Sequence, residues 1–116
     1  MVVIYIDGGT RHSNICLVDN THIVVKYRGG NPTNNELEYL ALMYALGYVR
    51  EKYKGVDVEI RSDSMLVVKQ INEKWRVTTE SLQPLYEKCK LMLTNKIKIK
   101  WVPRKFNLAG HVLEKP

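Results

Sequence analysis

Three carboxylates stand where ordinary folding does not require them. Glu38 shares one helical face with Ala41, Leu42, Ala45 and Val49, so it projects over the side of a helix that must be buried. The small residues Ala41 and Ala45 would let that helix approach a neighbouring layer closely. A carboxylate there is costly unless it meets a cation or a hydrogen-bond donor. Asp7 closes the all-apolar run 2–6, just ahead of Gly8 and Gly9, where an ionised group also needs partners; the simpler account is a turn aspartate. Asp63 lies where a strand passes into a helix and reads equally well as a plain N-cap. Yet open α/β sheets gather their sites at the carboxyl ends of neighbouring parallel strands, and Asp7 and Asp63 both end such strands. Three carboxylates meeting with no obvious cationic partner would raise one another's pKa. Divalent metals resolve that conflict, and oxygen ligands suit Mg²⁺ or Mn²⁺. Two metals bridged by one aspartate could activate a water and stabilise the leaving oxygen of a phosphodiester. In a chain of net charge +6, that chemistry points to a nuclease.

The elements that must position these groups are legible from patterning. Residues 2–6 are apolar at every position and suit a central strand covered on both faces. Residues 14–19 and 22–28 read as a hairpin around Asp19-Asn20-Thr21. Gly29-Gly30-Asn31-Pro32 breaks the chain, and Thr33 with Glu36 three residues on forms a capping box that opens a helix running to about Tyr53. Residues 56–60 alternate as a strand that stops at Ser62-Asp63. Met65 to Ile71 is a short helix, and Trp75-Arg76-Val77 a connecting loop. Residues 79–94 form a third amphipathic helix with Leu82, Leu85, Tyr86, Cys89 and Leu93 on one side, and 97–102 a last strand ending before Pro103. The segment 107–114 makes one or two helical turns. The order βββαβααβα is an α/β arrangement, a mixed sheet with helices packed on it and a right-handed parallel crossover. The remaining acids have ordinary places: Glu36 caps, Asp19 sits in a turn, and Asp57, Glu59, Glu51, Glu73 and Glu87 fit solvated faces.

The 116 residues suffice for one domain, 1–116, with a real core. A hydrophobic share of 45% beside 26% charged residues is that of a soluble globular protein, and no apolar run approaches the roughly 20 residues that span a bilayer. The opening Met-Val-Val-Ile-Tyr-Ile lacks a basic lead and a cleavage site, so it is not read as a signal peptide. Cys16 and Cys89 sit in apolar settings without metal-ligand spacing; two buried thiols are expected, and with them a cytoplasmic location. Residues 1–85 balance ten Lys/Arg against ten Asp/Glu, whereas 86–116 hold eight against two. A polyanionic partner would explain that asymmetry, and so would an edge strand guarded by Lys96, Lys98 and Lys100 in alternation with Ile97, Ile99 and Trp101.

Asp7-Gly8-Gly9 at the first strand's end, Thr33-Asn34-Asn35-Glu36-Leu37-Glu38 at the helix start and Ser62-Asp63-Ser64 after the fourth strand form an ordered set. That set resembles the three main motifs of the type 1 ribonuclease H family, in order, spacing and context across nearly the whole chain. The resemblance implies a ribonuclease H-like five-stranded mixed sheet of order 3-2-1-4-5 with helices on both faces. It implies metal-dependent endonucleolytic hydrolysis of the RNA strand of RNA–DNA hybrids, leaving a 5′-phosphate and a 3′-hydroxyl. Asp7, Glu38 and Asp63 would hold two divalent ions, with Asp7 bridging them. Asn34 and Asn35 would reach the hybrid's minor groove, where the 2′-hydroxyl distinguishes RNA from DNA, and Thr33 would help bind a phosphate of the DNA strand. Gly8, Gly9, Ser64, Arg104 and Asn107 would belong to the substrate-binding surface. No protein partner is implied, and a monomer is expected.

Departures from the family pattern carry their own expectations. The last motif reads Asn107-Leu108-Ala109-Gly110-His111, so His111 occupies the place of a fourth carboxylate, with Glu114 one helical turn beyond as an alternative. The loop before it, Pro103-Arg104-Lys105-Phe106, is short. His111 would serve as a metal ligand or a proton shuttle, or else be a surface histidine. An imidazole in place of a carboxylate would shift preference toward Mn²⁺. The family's basic protrusion is absent, leaving Lys74-Trp75-Arg76, where Trp75 either stacks beside a substrate strand or pins the loop. Met65 stands where a polar residue is common, and Trp101 is expected in the core. The alternatives to the hybrid nuclease are a catalytically weak hybrid-binding module and a nuclease of the same fold acting on double-stranded RNA.

Overall fold

The structure is a computed structural model that describes residues 1–20 and 22–114. Strands β1 (Val2–Gly9), β2 (Asn14–Asp19), β3 (His22–Tyr27), β4 (Val58–Ser62) and β5 (Ile97–Trp101) form one sheet of order β3-β2-β1-β4-β5. The β1–β2 and β2–β3 pairs are antiparallel, and β4 and β5 run parallel to β1. Helices α1 (Asn34–Lys52), α2 (Met65–Ile71) and α3 (Gln83–Met92) bury the larger core against one face; α4 (Leu108–Glu114) covers Cys16 and Val18 on the other. This is the mixed α/β sheet expected from the sequence.

The core follows the apolar periodicity. Ile4, Ile6, Ile15, Leu17 and Ile60 point from the sheet toward Leu42, Ala45, Leu46 and Val49 of α1, all fully or nearly fully buried. The capping box that starts α1 is present in both directions: Thr33 Oγ1 accepts from the Glu36 amide at 3.1 Å, and the Thr33 amide donates to Glu36 Oε1 at 2.8 Å.

Several expectations shift. The fourth strand begins at Val58, two residues later than the alternation suggested, because Gly55 (φ +77°) turns the chain and leaves Val56 exposed. It therefore runs to Ser62 and delivers Asp63 directly beyond its end. The expected helix 79–94 is a 3₁₀ turn, Glu80–Leu82, followed by the shorter α3. Pro84, which can donate no backbone hydrogen bond, is accommodated in the first turn of α3. Trp101, the last residue of edge strand β5, is 42% exposed rather than core; its indole N–H donates to the Asp63 carbonyl at 3.1 Å.

Two acids given ordinary places by the sequence, Asp19 in a turn and Glu59 on a solvated face, are buried. Asp19 accepts from Tyr48 and Tyr53 hydroxyls, each at 2.7 Å, and from Lys52 Nζ at 3.3 Å, tying the last turns of α1 to β2. Glu59, in the interior strand β4, takes Arg61 Nε at 2.6 Å, and Arg61 Nη1 reaches the Tyr5 hydroxyl at 2.8 Å. Alternation shows which face a residue takes, but not whether another layer or a neighbouring side chain closes over it.

Candidate active site

Parallel pairing of β1 with β4 stops at Ile6 and Ser62, so Asp7 and Asp63 both lie one residue beyond it. There the two strands diverge: β1 continues with β2 as far as Gly9, while the chain after β4 bends into α2. Asp63 does not cap that helix, as the simplest reading of the sequence held. Ser64 does so, its hydroxyl accepting from the Val67 amide at 3.2 Å, which leaves the Asp63 carboxylate for other partners. Glu38 arrives from the second turn of α1. Gly8 makes that approach possible, since a Cβ on it would lie 2.5 Å from the carbonyl carbon and oxygen of Leu37. Through the same contact the Gly8 amide donates to Glu38 Oε1 at 2.9 Å. Asp7, Glu38 and Asp63 each bring one carboxylate oxygen to within 4.8 Å of the others.

The cluster has a cationic partner, contrary to the sequence argument. Arg104, in the 3₁₀ turn Arg104–Phe106 between β5 and α4, places Nη1 2.9 Å from Asp7 Oδ1 and 3.1 Å from Asp63 Oδ2. Its Nε donates to Glu114 Oε1 at 2.9 Å. Asn107, expected to face substrate, is fully buried instead. Its Nδ2 donates to the Ile6 carbonyl at 2.9 Å and to Asp63 Oδ2 at 2.8 Å, and its Oδ1 accepts from the Ala109 amide. It positions Asp63 and the start of α4.

Burial dominates the electrostatics. Desolvation and then the charge of Asp63 raise the Asp7 pKa to about 6, against the opposing pull of Arg104. Glu38 is pushed up to about 9 by burial first and then by Asp7 and Asp63, with the Gly8 amide opposing. One buried oxygen, Asp7 Oδ2, has no hydrogen-bond partner among the described residues. Converging, partly orphaned carboxylates of this kind suit divalent cations bound by oxygen, and the residues present fit such ions.

These groups line a cleft of about 350 Å³ at the carboxyl ends of β1 and β4. Gly8, Gly9 and Asn34 also line it, although the Gly8 amide is already engaged by Glu38. Thr33 and Asn35 are exposed beside Asn34, at the start of α1. Trp75 is exposed in a separate hollow with Arg76 and Tyr86, and the structure does not bring it to the carboxylates. Nor does it bring His111, which is exposed and belongs neither to the carboxylate cluster nor to the lining of the cleft. His111 is the middle residue of α4, its amide bonded to the Asn107 carbonyl, and it is Glu114, at the far end of that short helix, that lines the cleft. Thr10 and Arg11, which belong to no motif of the sequence, also line the cleft from the β1–β2 connection. Nothing in their local pattern separates them from a solvated turn.

A family model described as "Reverse transcriptase-like" matches residues 11–115. The "Bifunctional protein Rv2228c" of Mycobacterium tuberculosis is 29% identical over 91% of this chain, and the chain spans about a third (32%) of that relative's length. The solved N-terminal ribonuclease H domain of the same protein, fused to maltose-binding protein, has a TM-score of 0.79 at 28% identity, covering 97% of this chain and 94% of that one. Ribonuclease H1 from the halophilic archaeon Halobacterium salinarum gives a TM-score of 0.79 at 29% identity, with 97% and 92% covered. LC11-RNase H1, isolated from compost by a metagenomic approach, was solved in complex with an RNA/DNA hybrid and in that complex gives a TM-score of 0.77 at 27% identity, with 93% and 89% covered. The family match runs over nearly the whole chain, and the sheet order and helices accord with the ribonuclease H folds it resembles: the chain belongs to the reverse-transcriptase-like family and has a ribonuclease H-like fold.

Proposed function

We propose that this chain hydrolyses the RNA strand of RNA–DNA hybrids, using divalent cations held by Asp7, Glu38 and Asp63. The observation that carries the reading is the meeting of three carboxylates within 4.8 Å in a cleft at the ends of β1 and β4. Bound there, divalent cations would supply an activated water and charge stabilisation for the leaving oxygen, giving 5′-phosphate and 3′-hydroxyl products. The protein's own contribution is positional. Gly8 seats Glu38 against the strand, Asn107 orients Asp63, and the exposed Asn34 and Asn35 offer amides to a groove at the cleft's edge. The hybrid complex of the related LC11 enzyme supports this choice of substrate.

Because Glu114 rather than His111 faces the cleft, the donors are all oxygens, and the reason to expect a preference for Mn²⁺ falls away. Mg²⁺ and Mn²⁺ should both support activity. The buried free thiols of Cys16 and Cys89 support an intracellular setting.

The test is cleavage of labelled hybrid, double-stranded RNA and double-stranded DNA with each metal in parallel. Hybrid should be cut, and Asp7→Asn should abolish cutting while retaining hybrid binding. Normal cutting by that variant overturns the site; cleavage of double-stranded RNA alone overturns the substrate.

A further inference from the structure

We propose that Arg104 is a built-in counterion that occupies the cation position between Asp7 and Asp63 and thereby sets the metal affinity of the site. The inference rests on the reading that these carboxylates bind divalent cations. A single guanidinium nitrogen, Nη1, reaches Asp7 Oδ1 at 2.9 Å and Asp63 Oδ2 at 3.1 Å, so it stands between the two carboxylates. A cation bridging those same oxygens and this nitrogen cannot occupy the same space.

The protein is built to bring the guanidinium there. Gly110, buried in α4, lies directly against it: a Cβ at that position would be 3.1 Å from Arg104 Cζ, 3.2 Å from Nη1 and 3.3 Å from Nε. Those separations are shorter than ordinary van der Waals contact, so the absence of a side chain at Gly110 clears the guanidinium's position. Glu114 holds Nε at 2.9 Å and fixes the plane of the group. The 3₁₀ turn Arg104–Phe106 leads directly into α4, which keeps Arg104 close to both Gly110 and Glu114.

The arrangement answers an electrostatic need. Asp7 is fully buried and Asp63 lies beside it, a pair that repels when both are ionised. Arg104 offsets that repulsion in the metal-free protein, while its own side chain stays 48% exposed, so solvent lies beside it to receive the charge when a cation displaces it. Its departure must accompany cation binding, and the free energy of its two ion pairs is subtracted from the affinity.

Mn²⁺ titration followed by calorimetry, without nucleic acid, tests this. Arg104→Ala should bind Mn²⁺ about tenfold more tightly than the parent chain, the change expected from losing two partly exposed ion pairs. Gly110→Ala keeps the charge and favours the helix, so it should also tighten binding by displacing the guanidinium. Free guanidinium at a non-denaturing concentration should compete with Mn²⁺ in Arg104→Ala more strongly than in the parent. Melting curves check folding: Arg104→Ala should melt lower without metal and recover with it. Unchanged or weaker Mn²⁺ binding in both variants overturns the counterion role, provided the parent binds Mn²⁺ and Asp7→Asn does not. If the parent chain itself binds neither Mn²⁺ nor Mg²⁺, the metal reading fails, and the counterion role with it.

Discussion

Glu38 sits almost fully buried in the second turn of α1, with one oxygen on the Gly8 amide and two other carboxylates within reach. Its proton and that of Asp7 are retained well above their ordinary values of 4.5 and 3.8, to about 9 and about 6, chiefly because burial penalises the charged forms. Between those ordinary values and the raised ones the folded protein holds more protons than the unfolded chain. Stability without metal therefore falls as pH rises from about 4 to 9. Glu38→Gln, which keeps an acceptor for the Gly8 amide, should raise metal-free stability at pH 8 by about 1–3 kcal/mol and flatten that slope, while abolishing cleavage. Urea denaturation across this pH range reads both effects, and an unchanged slope would show that Glu38 ionises without penalty. Gly8 gives the complementary case. Gly8→Ala meets the Leu37 backbone at 2.5 Å, with no flexible side chain to yield, and should cost about 2–4 kcal/mol as measured by chemical denaturation.

Short elements depend on single polar residues for their placement. The seven-residue α4 buries Ala109 and Gly110, and Asn107 joins its start to the Ile6 carbonyl and to Asp63. Asn107→Ala leaves the Ile6 carbonyl and the Ala109 amide buried without these partners, and should cost about 2–3 kcal/mol with loss of hybrid cleavage. Amide exchange would separate local from global effects: protection in 108–114 should fall before that of β1. Asp19 serves the far end of α1 in the same way. Burial alone would raise its pKa, but donation by Tyr48, Tyr53 and Lys52 holds it below the ordinary carboxylate range. Its contribution is complete above the unfolded value and lost as pH falls through the folded one. Tyr48→Phe combined with Tyr53→Phe should raise the pH of acid unfolding, monitored by circular dichroism.

For the whole molecule, the excess positive charge of residues 86–116 acquires a location. Lys98 and Lys100 are exposed on β5, the outermost strand of the sheet, where charge discourages pairing with another chain. Lys98→Gln with Lys100→Gln should increase self-association by size-exclusion chromatography and leave hybrid cleavage within about twofold. A large loss of cleavage would instead assign these lysines to substrate. Hybrid affinity itself should fall steeply with salt, since phosphate contacts release counterions, and Arg11 and Arg104 are the cations that line the cleft.

By itself the sequence determined the order of elements, the capping box of α1, the hairpin and the three carboxylates, because each leaves a signal in periodicity or spacing over a few residues. Even the demand for small residues beneath Glu38 was visible in Ala41 and Ala45. Tertiary structure alone decided what lies between the carboxylates. Arg104 is 97 residues from Asp7 and 41 from Asp63, and no local pattern relates them. It also decided that Ser64 rather than Asp63 caps α2, that Asn107 turns inward, and that Glu114 rather than His111 faces the cleft. Each of these depends on where one short turn or helix docks. Position in a motif places a residue along the chain, but which side chain meets the site is set by the docking of that element against the sheet.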